Sequence, residues 1–262
     1  MRTILRIASC QLRDLLRGRW LIIYTLLFLL ATEGLLRLGG GDARALLSLS
    51  SLVLFMVPLV SLIFGTTSLH DAREFNEMIL AQPVTRVQVF TGLYGGLASG
   101  LSLASVIGIG GPFLVHGLGT ARLSTLFALL FSSVMLTVVF VAIAFLIALE
   151  CREKARGLAM AIAVWSLATI VYDGLVLIAS NMYAAFPLER PMIALMLLNP
   201  VDLARVLMLM QLDVAALMGY TGAVFLRFFG SGIGTAVVCA ALAAWVALPV
   251  LLGLRAFHRR DF

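Results

Sequence analysis

Runs of about 20 apolar residues recur along this chain, each long enough to cross a hydrocarbon core of about 30 Å. Inside lipid every backbone N–H and C=O must find a partner within the protein, so only helices or closed barrels span a membrane. A barrel needs strict in/out alternation, and the unbroken runs here lack it. The expected fold is therefore an all-α polytopic membrane protein. Composition agrees: 62% of the 262 residues are hydrophobic and 12% are charged, against about 25% charged in an ordinary soluble domain.

Six spans are expected, at roughly 20–36, 46–69, 87–115, 121–149, 157–180 and 231–256. No repeat or low-complexity linker divides the chain, so residues 1–262 are read as one domain. Orientation follows from Lys and Arg alone. With the N-terminus inside, the inner segments hold Arg2, Arg6, Arg13, Arg17, Arg19, Arg73, Arg86, Arg152, Lys154, Arg156, Arg255, Arg259 and Arg260. The outer segments hold only Arg37, Arg44, Arg122, Arg190, Arg205 and Arg227. Both termini are expected in the cytoplasm. The net charge of +6 is explained by these span-end arginines, and no nucleic-acid partner is expected.

Residues 2–19 precede the first span. Arg2, Arg6, Arg13 and Arg17 fall within about 60° of one another at 100° per residue, with Ile4, Ala8, Leu12 and Leu15 opposite. This predicts an amphipathic elbow helix lying in the interface, arginines towards head groups.

The longest polar interruption in the N-terminal half is 70–86. Asp71, Glu74, Met78 and Ala81 share helical spacing, the early acids suit a helix N-terminus, and Pro83 ends the segment. A short cytoplasmic helix between spans two and three is expected, with its acids to water and its Met/Ile/Leu side towards protein or lipid. Just beyond it, Gly92, Gly96, Gly100, Ala104 and Gly108 recur every fourth residue. Such a stripe lets another helix approach closely. Gly110-Gly111-Pro112 is expected to kink or end the third span.

The segment 181–230 is apolar for an outer loop and is broken by Pro187, Pro191 and Pro200. Asn199-Pro200 reads as an N-cap followed by proline at the first helical position, opening a helix over about 200–218. Arg205 and Asp213 interrupt it. Half-helices that dip into or lie along the outer leaflet are expected before the last span.

Catalytic and metal chemistry is not legible. Lys154 is the only lysine and has no glycine-rich cradle, so no P-loop exists. ATP and Mg, if used, bind another chain, and no cofactor is expected here. His70, His116 and His258 are far apart and no HExxH occurs. Cys10, Cys151 and Cys239 form no CxxC pair, which argues against a disulfide framework or a cysteine metal site. Met182, Met192, Met196, Met208, Met210 and Met218 suit Cu(I) chemically. Beyond Met208 and Met210 they form no tight cluster, and packing explains them. Two acids fall within spans, where a charge costs roughly 3 kcal/mol or more. Glu33 has Arg37 one turn on as a partner. Asp173 lies deeper, between Tyr172 and Gly174, and is a candidate intramembrane polar site.

Together these features resemble the membrane subunit of type-2 ABC exporters, which carry a pattern like G-T-L-x-x-L-L-x-x-P-x-x-R in the cytoplasmic helix. Here Ile79-Leu80-Ala81-Gln82-Pro83-Val84-Thr85-Arg86 matches its end, while Glu74-Phe75-Asn76 stand where Gly-Thr-Leu is usual. Within that class the chain is similar to the permeases that serve nitrous oxide reductase maturation. The similarity rests on Glu153-Lys154, Gly157-Leu158-Ala159 leading to Trp165, Tyr172-Asp173, and Leu197-Leu198-Asn199-Pro200-Val201-Asp202-Leu203-Ala204-Arg205.

The resemblance implies a non-enzymatic permease of the bacterial inner membrane. It implies a homodimer, two copies of a cytoplasmic ATPase, a periplasmic accessory protein and a role in copper or sulfur supply. Asp71, Arg73, Glu74, Glu77, Met78, Pro83 and Arg86 would then meet the ATPase, and Gly92, Gly96, Gly100 and Gly108 would relay its motion. Two alternatives stay open: an ABC exporter of a lipid or drug-like compound, and a secondary transporter using Asp173.

Overall fold

Among the described residues six helices are long and apolar enough to cross a membrane: Arg19–Leu38, Arg44–Asp71, Arg86–Val115, Leu123–Glu150, Lys154–Ala179 and Ala236–Phe257. They match the six expected spans to within a few residues. The computed structural model describes residues 2–38, 42–72, 84–116, 120–182, 194–210 and 232–259. Among these the elements run α1 (Arg2–Arg17), α2 (Arg19–Leu38), α3 (Asp42–Asp71), α4 (Arg86–His116), α5 (Thr120–Glu150), α6 (Lys154–Ser166), a π turn (Leu167–Val171), α7 (Tyr172–Met182), α8 (Pro200–Met210) and α9 (Gly232–Arg259). No strand occurs among the described residues.

The core sits where α3, α4 and α5 meet. At one end Phe90 of α4 is fully buried, and its ring lies 5.7 Å edge-on from Phe145 of α5 and 5.7 Å from Phe257 of α9. Edge-to-face pairs of this kind add directional preference to apolar burial. Gly253 makes the approach of α9 possible, since a Cβ there would stand 3.0 Å from the Phe90 ring. The fifth span is different. Only 6% of its apolar window is buried, against 61% for the fourth, so it rides on the outside of the bundle.

The small-residue stripe faces the N-terminal helix. A Cβ on Gly92 would lie 2.8 Å from Ile7. On Gly96 it would lie 2.7 Å from the Ala8 carbonyl oxygen and 2.8 Å from Gln11 Cβ, and on Gly100 3.1 Å from Leu15. Gly108 continues the row against α2, 2.7 Å from Phe28 Cβ. The apolar side of α1 is therefore spent on α4, while Arg6 and Arg13 are exposed. Gln11 Nε2 also donates to Ser68 Oγ of α3 at 2.8 Å.

Gly110-Gly111-Pro112 does not end its helix, which continues to His116. Proline costs one helix hydrogen bond, and α4 carries that loss within its last turns. The restart of the chain after the polar segment is fixed locally. Thr85 and Gln88 form a reciprocal capping box, with the Thr85 N–H donating to Gln88 Oε1 at 3.3 Å and the Gln88 N–H reaching Thr85 Oγ1 at 3.4 Å.

The half-helix α8 is buried in protein rather than laid along a surface. Val201, Ala204 and Met208 of α8 join the main core, and Leu203 and Val206 pack with Val238 and Leu242 of α9. Met208 thus serves as packing. The expected continuation of this helix towards residue 218 lies outside the described residues, as does Asp213.

Candidate functional site

Two polar junctions stand at opposite ends of the bundle, and the fifth span reaches from one to the other.

The first junction forms where α3 stops. Asp71, the last residue of α3, accepts from Lys154 Nζ, on the first residue of α6, through both carboxylate oxygens at 2.6 and 2.9 Å. One residue earlier, His70 holds its Nε2 3.1 Å from the Cys151 carbonyl and its Nδ1 2.8 Å from the Thr66 carbonyl. Gly157 lets α6 come this close, since a Cβ there would stand 3.0 Å from His70 Cε1. On the far side of the polar segment, Arg86 donates through Nη1 to the Phe257 carbonyl of α9 at 3.3 Å. Thus the two flanks of segment 73–83 are tied to different parts of the bundle. Of the residues singled out in that segment, Arg73, Glu74, Glu77, Met78 and Pro83 lie outside the described residues.

The second junction assembles around a π turn. In a regular α-helix the Tyr172 N–H would bond to Ala168. Here it donates to the Leu167 carbonyl, five residues back. That frees the Ala168 carbonyl from its helical partner, and Asn199 Nδ2 donates to it at 2.8 Å. Single π turns inside α-helices often mark functional sites for this reason. Asn199 also caps α8 as its sequence predicts, its Oδ1 accepting from the Val201 N–H at 3.0 Å. Two aromatic donors pin the turn before it: the Tyr172 hydroxyl to the Leu195 carbonyl, and Trp245 Nε1 to the Leu197 carbonyl at 3.1 Å.

Asp173 finds its partner across this junction. Arg205 Nη1 and Nη2 reach its two carboxylate oxygens at 3.0 and 2.7 Å, a bidentate fork. Arg205 Nη1 also donates to Asp202 at 2.8 Å. Two carboxylates therefore face one guanidinium, and the triad carries a net negative charge when both are ionised. Burial pushes the Asp202 carboxyl up to about 6; Arg205 opposes the rise, and the Asp173 charge adds to it.

The sign of the resulting linkage is fixed. A raised folded-state pKa means that the folded chain binds more protons than the unfolded chain between about 4 and about 6. Asp202's contribution to stability is present below that window, falls as pH rises through it, and is flat above. Over the full window the effect is at most on the order of 3 kcal/mol. Asp202→Asn is expected to remove this slope from thermal unfolding of the purified chain measured between pH 4 and 7. An unchanged slope would place the titration elsewhere.

The remaining predicted positions are simpler. Arg37 Nε meets Glu33 Oε1 at 2.6 Å within α2, a largely exposed helical pair of small energetic weight. Sequence reasoning named Asp173 and Arg205 separately but did not join them. The available signal was that both interrupt apolar runs, with opposite charge. Lys154 as the partner of Asp71, and His70, were missed.

Over residues 5–262 the chain matches the family described as ABC-2 family transporter protein. It is 30% identical over 280 residues, covering 99% of both chains, to a protein of Stutzerimonas stutzeri named "Probable ABC transporter permease protein NosY". It is 29% identical over 272 residues, 97% of both chains, to the protein of the same name in Pseudomonas aeruginosa.

Proposed function

Because this chain belongs to the ABC-2 transporter family, as a membrane-spanning permease subunit, we propose that a separate cytoplasmic ATPase drives it through the segment between α3 and α4. ATP and Mg belong to that partner, and this chain contributes no catalytic residue. The observation that carries the reading is the pair of anchors flanking the segment, Asp71 on Lys154 and Arg86 on the Phe257 carbonyl.

A push on the segment would act on two levers at once. Through Asp71 and His70 it would reach the start of α6. From Lys154 to Asp173 is 19 residues, about 28 Å of helix, and this rod lies on the outside of the bundle with one face along α3, where Trp165 Nε1 donates to the Phe55 carbonyl at 3.0 Å. Its outer end grips α8 through Asp173–Arg205 and Asn199–Ala168. Displacement at the inner lever would thus reach the outer half-helix along the fifth span and the face of α3 that it packs on. The contact between α1 and the glycine stripe would carry a second, parallel displacement.

The orientation consistent with this is the one the positive charges favour, both termini in the cytoplasm of the inner membrane. Residues 1–262 would act as one permease domain, working as a homodimer with a periplasmic accessory protein. Similarity to permeases of nitrous oxide reductase maturation favours a role in copper or sulfur supply for that enzyme's metal cluster. The secondary-transporter reading is disfavoured, because both oxygens of Asp173 are engaged by Arg205. Export of a lipid or drug-like compound would use the same mechanics, and a transport assay with purified complex would tell the two cargoes apart.

The test is direct. A tagged full-length chain is expected to co-purify with an ATPase subunit identified by mass spectrometry. Charge reversal at Glu74 and Glu77 together is expected to lower permease-stimulated ATP hydrolysis several-fold while leaving membrane insertion intact. Unchanged stimulation would remove the segment from the docking interface.

A further inference from the structure

We propose that the π turn and α8 form one two-state switch, in which the fifth span grips α8 only while the turn holds its extra residue. A π turn takes in one residue more than an α turn, so every residue after it stands one place back on the helical lattice. One place is about 100° of rotation and about 1.5 Å of rise. The links of Tyr172 to the Leu195 carbonyl, Asn199 to the Ala168 carbonyl and Asp173 to Arg205 join the fifth span to residues 195–205, and each needs that offset. In the α form the Tyr172 N–H would take the Ala168 carbonyl from Asn199, and Tyr172 would stand where Asp173 now meets Arg205.

The chain is fixed on either side of the turn by separate contacts. Before it, Trp165 Nε1 donates to the Phe55 carbonyl of α3 at 3.0 Å, and the two rings lie 4.6 Å apart edge-on. The Thr169 hydroxyl donates to the Trp165 carbonyl at 2.8 Å. α8 is held from its other side, where Leu203 and Val206 pack with Val238 and Leu242 and Trp245 donates to the Leu197 carbonyl. After the turn, Leu175, Ile178 and Met182 are exposed. Packing at these positions does not set the rotation of α7, and the links to residues 195–205 do.

The two forms exclude each other through one carbonyl. At membrane depth a carbonyl without a donor is costly. While α8 is docked, Asn199 supplies the donor that the π turn withholds from Ala168. When Asn199 leaves, the Tyr172 N–H is the donor one α turn away, and using it converts the turn to α. That conversion carries Asp173 off Arg205 and the Tyr172 hydroxyl off Leu195, so the links fail together. A small displacement of α8 is thereby amplified into a rotation of about 100°. The switch is a property of this chain and stands without the ATPase proposed above, which would only drive it.

The test is a double-mutant cycle on Asp173 and Arg205, read by thermal melting of the purified full-length chain in detergent with no ATPase present. Asp173→Leu, Arg205→Leu and the two together are expected to be non-additive by about 4 °C. Asn199→Ser keeps a cap for α8, but its side chain is too short to reach Ala168. In that background the non-additivity is expected to fall below about 1 °C. Deleting Ile170, whose side chain is exposed, removes the extra residue and leaves an α-helix with Asp173 on its present face. Added to Asn199→Ser, the deletion is expected to bring back about 4 °C. Tyr172→Phe, which leaves α8 unaltered, is expected to reduce the non-additivity to about 2 °C, and the same deletion is expected to restore it.

Non-additivity that survives Asn199→Ser at full size overturns the proposal, because the pair would then not depend on the turn. So does its loss when Ile170 alone is deleted, or the failure of that deletion to restore it beside Asn199→Ser. Either result would mean that the extra residue does not set the face of Asp173. If Asn199→Ser does not fold, the same outcomes are read with Tyr172→Phe.

Discussion

Gly96→Leu is expected to separate α1 from α4 and abolish ATP-driven activity of the assembled transporter. A single methyl at this position would already lie 2.7 Å from the Ala8 carbonyl oxygen and 2.8 Å from Gln11 Cβ. The first of these is backbone, which cannot rotate away. Gly96→Ala is therefore expected to cost about 1–3 kcal/mol, and leucine more. The neighbouring glycine supplies the control, because a Cβ on Gly95 meets nothing within 4 Å. Gly95→Ala should be neutral or stabilising, since alanine is better than glycine in a helix interior by about 0.5–1 kcal/mol. Thermal melting of the full-length chain in detergent checks both. Equal melting of the two alanine variants would mean that α1 does not rest on the stripe.

Arg205→Leu is expected to release α8 from the fifth span. It leaves Asp173 and Asp202 facing each other with no cation between them. Removing one partner of a buried ion pair costs about 3–5 kcal/mol. The Arg205 and Asp173 side chains are 35% and 40% exposed, so water recovers part of that, and about 2 kcal/mol is the expected loss. Asp173→Asn should cost less, because Arg205 keeps Asp202 at 2.8 Å. The double variant Asp173→Leu with Arg205→Leu should be more stable than Arg205→Leu alone. If the pair transmits motion outward, each single variant also uncouples ATP hydrolysis from activity while leaving ATPase binding intact. Arg205→Leu with wild-type melting and wild-type coupling would show the Asp173–Arg205 junction to be idle.

The helical class, the number of spans and the capping of α8 by Asn199 were legible in the chain because each is written locally. A 20-residue apolar run, an Asn-Pro step or a four-residue glycine period needs no knowledge of what lies elsewhere. The pairing of Glu33 with Arg37 was legible for the same reason, being one helical turn apart. The partner of the glycine stripe was not. Periodicity says that a helix must come close, but not that it is the N-terminal one, whose arginine face suggested a helix given over to head groups.

The two junctions were illegible for a related reason. Asp71 and Lys154 are 83 residues apart and Asp173 and Arg205 are 32 apart. The π turn that frees the Ala168 carbonyl leaves no mark in residue types alone. By itself the sequence determined which segments cross the bilayer and where polar groups interrupt them, since hydrophobic transfer and helix capping act over a single turn or a single span. Only the tertiary structure decided which interruptions meet, because charge pairing and close packing depend on distances set by the whole bundle.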